Sequence, residues 1–328
     1  MAPMPIRDDG HVLSQDWAVP ARDLTTVAVS HPFSSPPGAP SPHPGFRRRI
    51  PPLASRRRRC HSPEPFEERC RMERIPIVEN GREISHLAVR FDPPPQGTGE
   101  RPCFLYLHGF GSEQSGEKAE FFRARAREAG FGFCSFDFQG HGLSGGDMLG
   151  LTLTRNLEDM ARVHTFLRDR GCGRLILLGS SMGGGTALWY SSLHPEEIVA
   201  GLHIAPALEL AKGLLAWAGP ERARLWEETG RIHFQNEFVS TELGWTLIED
   251  LRAHLTETLL TRYRTPALLI QGKLDTSVSW KSVAEFATCC TFKEIEVHLF
   301  ADGDHRLTDR KERLWVLMME FLQGRALI

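Results

Sequence analysis

The residues Gly179-Ser180-Ser181-Met182-Gly183 lie between an apolar run, Leu175 to Leu178, and a stretch with helical spacing. A serine at a sharp strand-to-helix turn exposes its hydroxyl above a sheet, and glycines two before and two after tolerate the crowding such a turn imposes. Ser181 is therefore a candidate nucleophile, and the N–H of Met182 would face a carbonyl oxygen that turns negative during attack. A serine needs a base. Of 14 histidines, His305 is the best placed, in the polar loop Ala301-Asp302-Gly303-Asp304-His305 after the last apolar run. His108, before a glycine at a strand end, and His141, in a glycine turn, compete with it. His164, His194, His203, His233 and His254 fall in helices, on strands or in an insertion and read as structural. A carboxylate must orient the imidazole and stabilise its protonated form. Asp275 follows the run Ala267 to Ile270 through Gln271-Gly272-Lys273-Leu274 and completes the chain order Ser, Asp, His. Its rivals are Asp137, Asp302 and Asp304. The cluster of Asp302, Asp304 and His305 has no further ligand at metal spacing, so no metal is expected, nor any organic cofactor.

These residues need elements to carry them. After an alternating stretch at Ile84 to Phe91 comes a loop rich in Pro and Gly, and then apolar runs and helical segments take turns. Cys103 to Leu107 is followed by a helix near Lys118 to Ala129, Phe131 to Phe136 by one near Thr154 to Arg168, and Leu175 to Leu178 by one near Gly183 to Leu193. Ile198 to Ile204, Ala267 to Ile270 and Ile295 to Phe300 add three strands. Runs apolar on both faces, alternating with helices, predict an α/β fold with a mostly parallel sheet covered on both sides. Between Pro206 and Pro266 the rhythm breaks. This segment reads as a small, mostly helical lid, about residues 207–262, with Trp217, Trp226, Phe234, Phe238 and Trp245 packing it onto the sheet or lining an apolar pocket.

Residues 1–71 differ in kind. They hold 13 of the 22 prolines, and their 11 Arg against 7 acidic residues leave +4, so that the remainder of the −2 chain carries −6. Without a hydrophobic period, this segment is expected to be a disordered extension. Met72 stands directly before the first patterned residues, Ile75 to Val78, and is favoured as the true start of the protein, a chain of 257 residues that makes up the folded domain, 72–328. The apolar fraction of 41% and charged fraction of 24% fit a globular chain with a real core, and no apolar stretch is long enough to span a bilayer. Nucleic-acid binding and stable membrane insertion are not expected. Seven cysteines without C-x-x-C spacing or a secretory signal read as reduced thiols and point to the cytosol. Gly140-His141-Gly142-Leu143-Ser144-Gly145 matches a dinucleotide fingerprint formally, but about ten residues separate it from the next helix, where that fingerprint opens straight into one.

Taken together, His108-Gly109-Phe110-Gly111-Ser112, the GSSMGG segment, the late DGDH segment and Asp137-Phe138-Gln139-Gly140-His141-Gly142-Leu143-Ser144 resemble the α/β-hydrolase superfamily over residues 75–325. The Asp137 to Ser144 turn is similar to that of the serine aminopeptidase-like and lysophospholipase-like branches. Gln271 to Asp275 with Trp280, Leu247-Ile248-Glu249-Asp250, and Asp302 to Arg306 resemble the mitochondrial palmitoyl-protein thioesterase branch and its bacterial relatives. The resemblance implies an α/β-hydrolase fold with a lid and cleavage of a small acyl ester or thioester. It also implies a second oxyanion donor in the HGFGS loop, the N–H of Phe110. A serine aminopeptidase-like peptidase or amidase would share every one of these residues, and a non-catalytic binding protein on the same scaffold is the alternative of another class.

Overall fold

The computed structural model describes residues 72–96, 101–236 and 239–328. The expectation for residues 1–71 therefore lies outside the described residues, as do Cys60, Cys70 and Phe238. Eight strands form one sheet in the order β1-β2-β4-β3-β5-β6-β9-β10. Strands β1 (Met72–Glu79) and β2 (Arg82–Asp92) make an antiparallel hairpin, and β2 also runs antiparallel to β4 (Phe133–Phe136). The hairpin turns at Asn80 and Gly81, whose φ angles of 50° and 75° give the backbone twist that matches twisted strands. From β4 onward the sheet is parallel, through β3 (Cys103–Leu107), β5 (Leu175–Ser180), β6 (Ile198–Ile204), β9 (Ala267–Gly272) and β10 (Ile295–Phe300). This is the mostly parallel sheet expected from the alternating runs, in the α/β-hydrolase architecture that the family resemblance implies.

Strand alternation divides the core. Phe104 and Tyr106 of β3, with Ile176 and Leu178 of β5, pack under α1 (Glu117–Glu128) and α8 (Lys311–Gly324). Leu105, Leu107, Leu175 and Leu177 point the other way, toward α2 (Leu153–Arg168) and α3 (Met182–Leu193). On that second face Leu269 of β9 also meets α7 (Trp280–Cys289). Buried positions 153, 156, 160, 163 and 167 of α2 fall on one side at helical spacing, and Thr152 caps its start by accepting the N–H of Arg155. Strand β10 departs from the expected pattern of strands buried on both faces. It is the sheet edge and is partly exposed along its length, as its alternating sequence IEVHLF allows.

The insertion between β6 and β9 is less helical than its sequence led us to expect. Helix α4 (Leu210–Thr229) breaks at Gly219-Pro220 and ends on Gly230 at φ 74°, and a two-stranded hairpin follows, β7 (Arg231–Gln235) and β8 (Ser240–Gly244). The cause is local: Ile232 and Phe234 alternate with polar residues, so β7 turns one apolar side inward. Helices α5 (Thr246–Ala253) and α6 (Thr256–Arg262) lead back to the sheet. Trp226 and Trp245 cross edge to face at 5.5 Å, and the Trp226 indole N–H donates to the carbonyl of Leu243. Both tryptophans belong to the same apolar cluster as α2, so the insertion shares its core with the sheet.

Three buried histidines set an acid limit on this core. Burial pushes His108 down to about 4, His141 to about 3 and His203 to about 3. An unfolded histidine titrates near 6.5, so below that pH the unfolded chain binds protons that the folded chain refuses, and folding loses stability as the pH falls toward 3. Asp159 works against this, because burial raises it to about 6 and the folded state then gains as the pH falls below that value. Each histidine should remove roughly 1–2 kcal/mol by pH 5. The expected result is a urea midpoint clearly lower at pH 5 than at pH 7.5. Neither ring nitrogen of His203 has a partner among the described residues, so His203→Leu should flatten that pH dependence, and an unchanged slope would refute the account.

Candidate active site

Ser181 sits between the last residue of β5 and the first of α3, at φ 53° and ψ −117°. Its N–H donates to the carbonyl of Ile204 at 2.9 Å, and its own carbonyl accepts the N–H groups of Gly185 and Ala207, each at 3.0 Å. The flanking glycines are there because a side chain would not fit. A Cβ on Gly179 would stand 2.5 Å from the carbonyl oxygen of Gly183, and one on Gly183 would stand 2.3 Å from that of Leu107. Both contacts are with backbone, which cannot swing aside.

The structure brings Ser181, His305 and Asp275 together from three separate strand ends. His305 Nε2 is 3.1 Å from Ser181 Oγ, and His305 Nδ1 is 2.7 Å from Asp275 Oδ2. The Asp275 side chain is fully buried while His305 keeps 27% of its exposure. Asp275 Oδ1 accepts the N–H groups of Ser277 and Val278, and Oδ2 also accepts the Gln271 side-chain amide at 2.7 Å. Burial pushes this carboxyl up, but the hydrogen bond and charge of His305 and the two backbone donors outweigh it and hold the group below its ordinary range.

The rival residues have other partners. His108 Nε2 accepts the N–H of Phe138 at 3.1 Å, which leaves the proton on Nδ1 to donate to the carbonyl of Gly109 at 2.8 Å. Its buried ring stays neutral, since burial lowers it to about 4. His141 is buried beside it, with ring centres 5.0 Å apart. Asp137 accepts the backbone and side-chain N–H groups of Gln114 and the N–H of Leu143, pinning two loops together. Asp302 pairs with Arg310, and Asp304 accepts the N–H groups of Arg306 and Leu307. Of the five histidines read as structural, His164 bonds Tyr190 and the carbonyl of Gly173, and His254 lies against Asp250. Among the described residues no group of His, Cys, Asp or Glu converges as metal ligands.

The loop after β3 runs past the serine. A Cβ on Gly109 would stand 3.3 Å from that of Ser181, which places the next residue, Phe110, at the same mouth. Neither the Phe110 N–H nor the Met182 N–H has a hydrogen-bond partner among the described residues. For Met182 the reason is its position as first residue of α3, where no intrahelical acceptor exists. The Phe110 ring meets Phe234 of β7 edge to face at 5.2 Å, and Phe234 lies 4.5 Å from Trp217. A cavity of about 240 Å³ opens beside Met182, with Leu151, Trp189, Leu208, Leu247 and Leu251 on its apolar wall and Asn156, Lys212, Arg252 and Glu257 among its polar lining; Ser181 and His305 do not line it.

Two polar groups at the site were not anticipated from sequence. Gln271 lay inside a noted motif, but its hold on Asp275 depends on how the chain folds back over four residues. Lys118 had no sequence signal, yet its ammonium reaches the hydroxyl of Ser180.

Residues 99–237 match the family model described as serine aminopeptidase, S33. The chain is 25% identical over 252 residues to the mouse (Mus musculus) mitochondrial palmitoyl-protein thioesterase ABHD10, covering 74% of this chain and 80% of that one. Among solved structures, a hydrolase from Agrobacterium vitis S4 superposes with a TM-score of 0.68 at 26% identity, over 77% of this chain and 98% of that one. The mouse α/β hydrolase domain-containing protein 10 gives a TM-score of 0.64 at 23% identity, over 77% and 99%, a likeness of fold. With a mostly parallel sheet in hydrolase order, a serine at the strand-to-helix turn and these likenesses, the chain has the α/β-hydrolase fold and resembles the serine aminopeptidase and palmitoyl-protein thioesterase branches of that superfamily.

Proposed function

We propose that the protein is a serine hydrolase that cleaves carboxylic esters or thioesters through an acyl-enzyme. The observation that carries this reading is the relay from Ser181 Oγ to His305 Nε2 at 3.1 Å and from His305 Nδ1 to Asp275 Oδ2 at 2.7 Å. Asp275 accepts a hydrogen bond from the Nδ1–H and so leaves the Nε2 lone pair toward the serine. His305 takes the hydroxyl proton as Oγ bonds to the acyl carbon, and the N–H groups of Phe110 and Met182 receive the oxyanion. The imidazolium then protonates the departing alkoxide or thiolate. Water, deprotonated by the same histidine, attacks the acyl-enzyme and releases the acid. These steps use this chain's side chains and backbone alone.

The apolar wall of the cavity beside Met182 supports an acyl chain as the bound part of the substrate. Thioesters enter the reading through the thioesterase relatives, and a peptidase through the matched aminopeptidase family. The free thiols Cys103, Cys134, Cys172 and Cys290, all buried, suit a reducing compartment, whether the cytosol or the mitochondrion named for the similar thioesterases. No helix among the described residues is long and apolar enough to cross a membrane.

Ser181→Ala should lower kcat on p-nitrophenyl butyrate by at least about 10³-fold, and Asp275→Asn by about 10²- to 10⁴-fold. Normal turnover by purified Ser181→Ala would end the proposal, and fluorophosphonate labelling should map to Ser181. Hydrolysis of an aminoacyl-naphthylamide faster than of the butyrate ester would favour the peptidase. For the cavity, Leu251→Trp should cut kcat/KM for decanoyl esters roughly tenfold more than for acetyl esters. An equal effect on both chain lengths would place the acyl chain elsewhere.

A further inference from the structure

Lys118, on the first turn of α1, extends its ammonium between two segments that the sheet itself holds apart. Its Nζ donates to Ser180 Oγ at 2.8 Å and to the carbonyl oxygen of Arg306 at 2.9 Å. Ser180 ends β5 and Arg306 lies beyond β10, and two further strands, β6 and β9, stand between them in the sheet. Both acceptors are neutral oxygens, so among the described residues the partly buried cation has no carboxylate in hydrogen-bond contact, and the charge of Asp304 offsets its desolvation only in part. Burial lowers Lys118 to about 8, the charge of Arg306 adds to that, and Asp304 opposes it. A lysine needed only to fill space or solvate the surface has no reason to bear this cost. The positions it joins are the chain neighbours of Ser181 and His305.

We propose that Lys118 is a positioning residue for the Ser181–His305 pair: one ammonium tethers the Ser180 hydroxyl to the Arg306 carbonyl and so sets the gap across which the proton passes. The inference rests on the serine-hydrolase reading above. Both tethered segments have backbone that does not hold itself. Ser181 stands at φ 53° and Leu307, just past Arg306, at φ 48°, conformations that persist only where surrounding contacts over-determine them. The Asp304 side chain caps the histidine loop from within, accepting the N–H groups of Arg306 and Leu307 at 3.0 and 2.7 Å. Lys118 adds the connection from that loop to the nucleophile side. The tether survives deprotonation, because a neutral amine still has two N–H donors for two acceptors.

The test is steady-state hydrolysis of p-nitrophenyl butyrate by the full chain, together with the rate of fluorophosphonate inactivation. Lys118→Met keeps the length of the stem and removes every donor. It should lower kcat roughly ten- to a hundredfold while KM stays within about twofold, and slow inactivation in parallel. Lys118→Arg, which restores a cationic donor, should recover most of the lost kcat. Wild-type kcat in Lys118→Met, a change confined to KM, or a Lys118→Arg as impaired as Lys118→Met would overturn the inference. Should Lys118→Met not fold, Lys118→Leu, which also lacks every donor, is read instead: a reduced kcat at unchanged KM is expected, and wild-type kcat refutes the tether. Either refutation leaves Ser181→Ala inactive and the wild-type labelled, whereas an active Ser181→Ala would remove the hydrolase reading and this inference with it.

Discussion

The backbone at Ser181 is held where a serine does not go unaided, and much of the molecule is arranged around keeping it there. A non-glycine residue at φ 53° and ψ −117° costs of order 1–3 kcal/mol. The helix that follows is itself a poor helix former, opening Met182-Gly183-Gly184-Gly185, with each glycine giving up about 1 kcal/mol against alanine. Packing overrides both. Eleven of the twelve residues of α3 are buried, and the missing side chains let its first turn press against the carbonyl oxygens of Leu107 and His108. The same glycines that weaken the helix locally are what allow it to approach the sheet, and that approach places the serine and the free N–H of Met182 at one rim.

A second tier of contacts keeps the other side of the mouth in register. Asp137 holds the loop containing Gln114 to the turn containing Leu143, and His108 accepts from Phe138 between them. The loop that carries Phe110 is therefore anchored to the neighbouring strand end as well as to its own strand. Over it lie Phe234 and Trp217 of the insertion. A hairpin is better suited to this than another helix, since β7 can present a single aromatic from a thin element. Its neighbour Val239 closes on Gly111, where a Cβ would meet the valine side chain at 1.9 Å.

Much of this was legible from apolar runs and their intervals. β3, β6 and β10 begin and end at the residues that the runs Cys103 to Leu107, Ile198 to Ile204 and Ile295 to Phe300 mark out. β4 is shorter than its run because Phe131, though buried, belongs to the turn that follows α1. The placement of Ser181, Asp275 and His305 after strand ends was enough to nominate them, since a parallel sheet brings such ends to one rim. The β7–β8 hairpin was hidden because five residues with two inward apolar positions give too short an alternation to mark a strand within a segment that reads as mostly helical. Lys118 was hidden for a different reason. Its partners lie 62 and 188 residues away, and nothing in the local pattern marks a lysine on an amphipathic helix as anything but solvent-facing.

Burial serves the site with opposite signs on acids and bases, and hydrogen bonds decide which sign survives. The Asp275 side chain is fully buried, and desolvation pushes its carboxyl up, toward the protonated form that would be a poorer acceptor for an imidazole N–H. The hydrogen bond and charge of His305 and the two backbone N–H groups of Val278 and Ser277 reverse that. His108 receives no comparable support for its charged form, so desolvation prevails and its ring remains neutral. That neutrality is structural: only an unprotonated Nε2 can accept the Phe138 N–H. A proton there would convert the acceptor into a donor facing a donor, break the bond and free the start of the loop that bears Phe110. The buried imidazole, its tautomer matched to that backbone N–H, is thus one anchor of the loop beside Asp137, and it is the anchor that a proton would release.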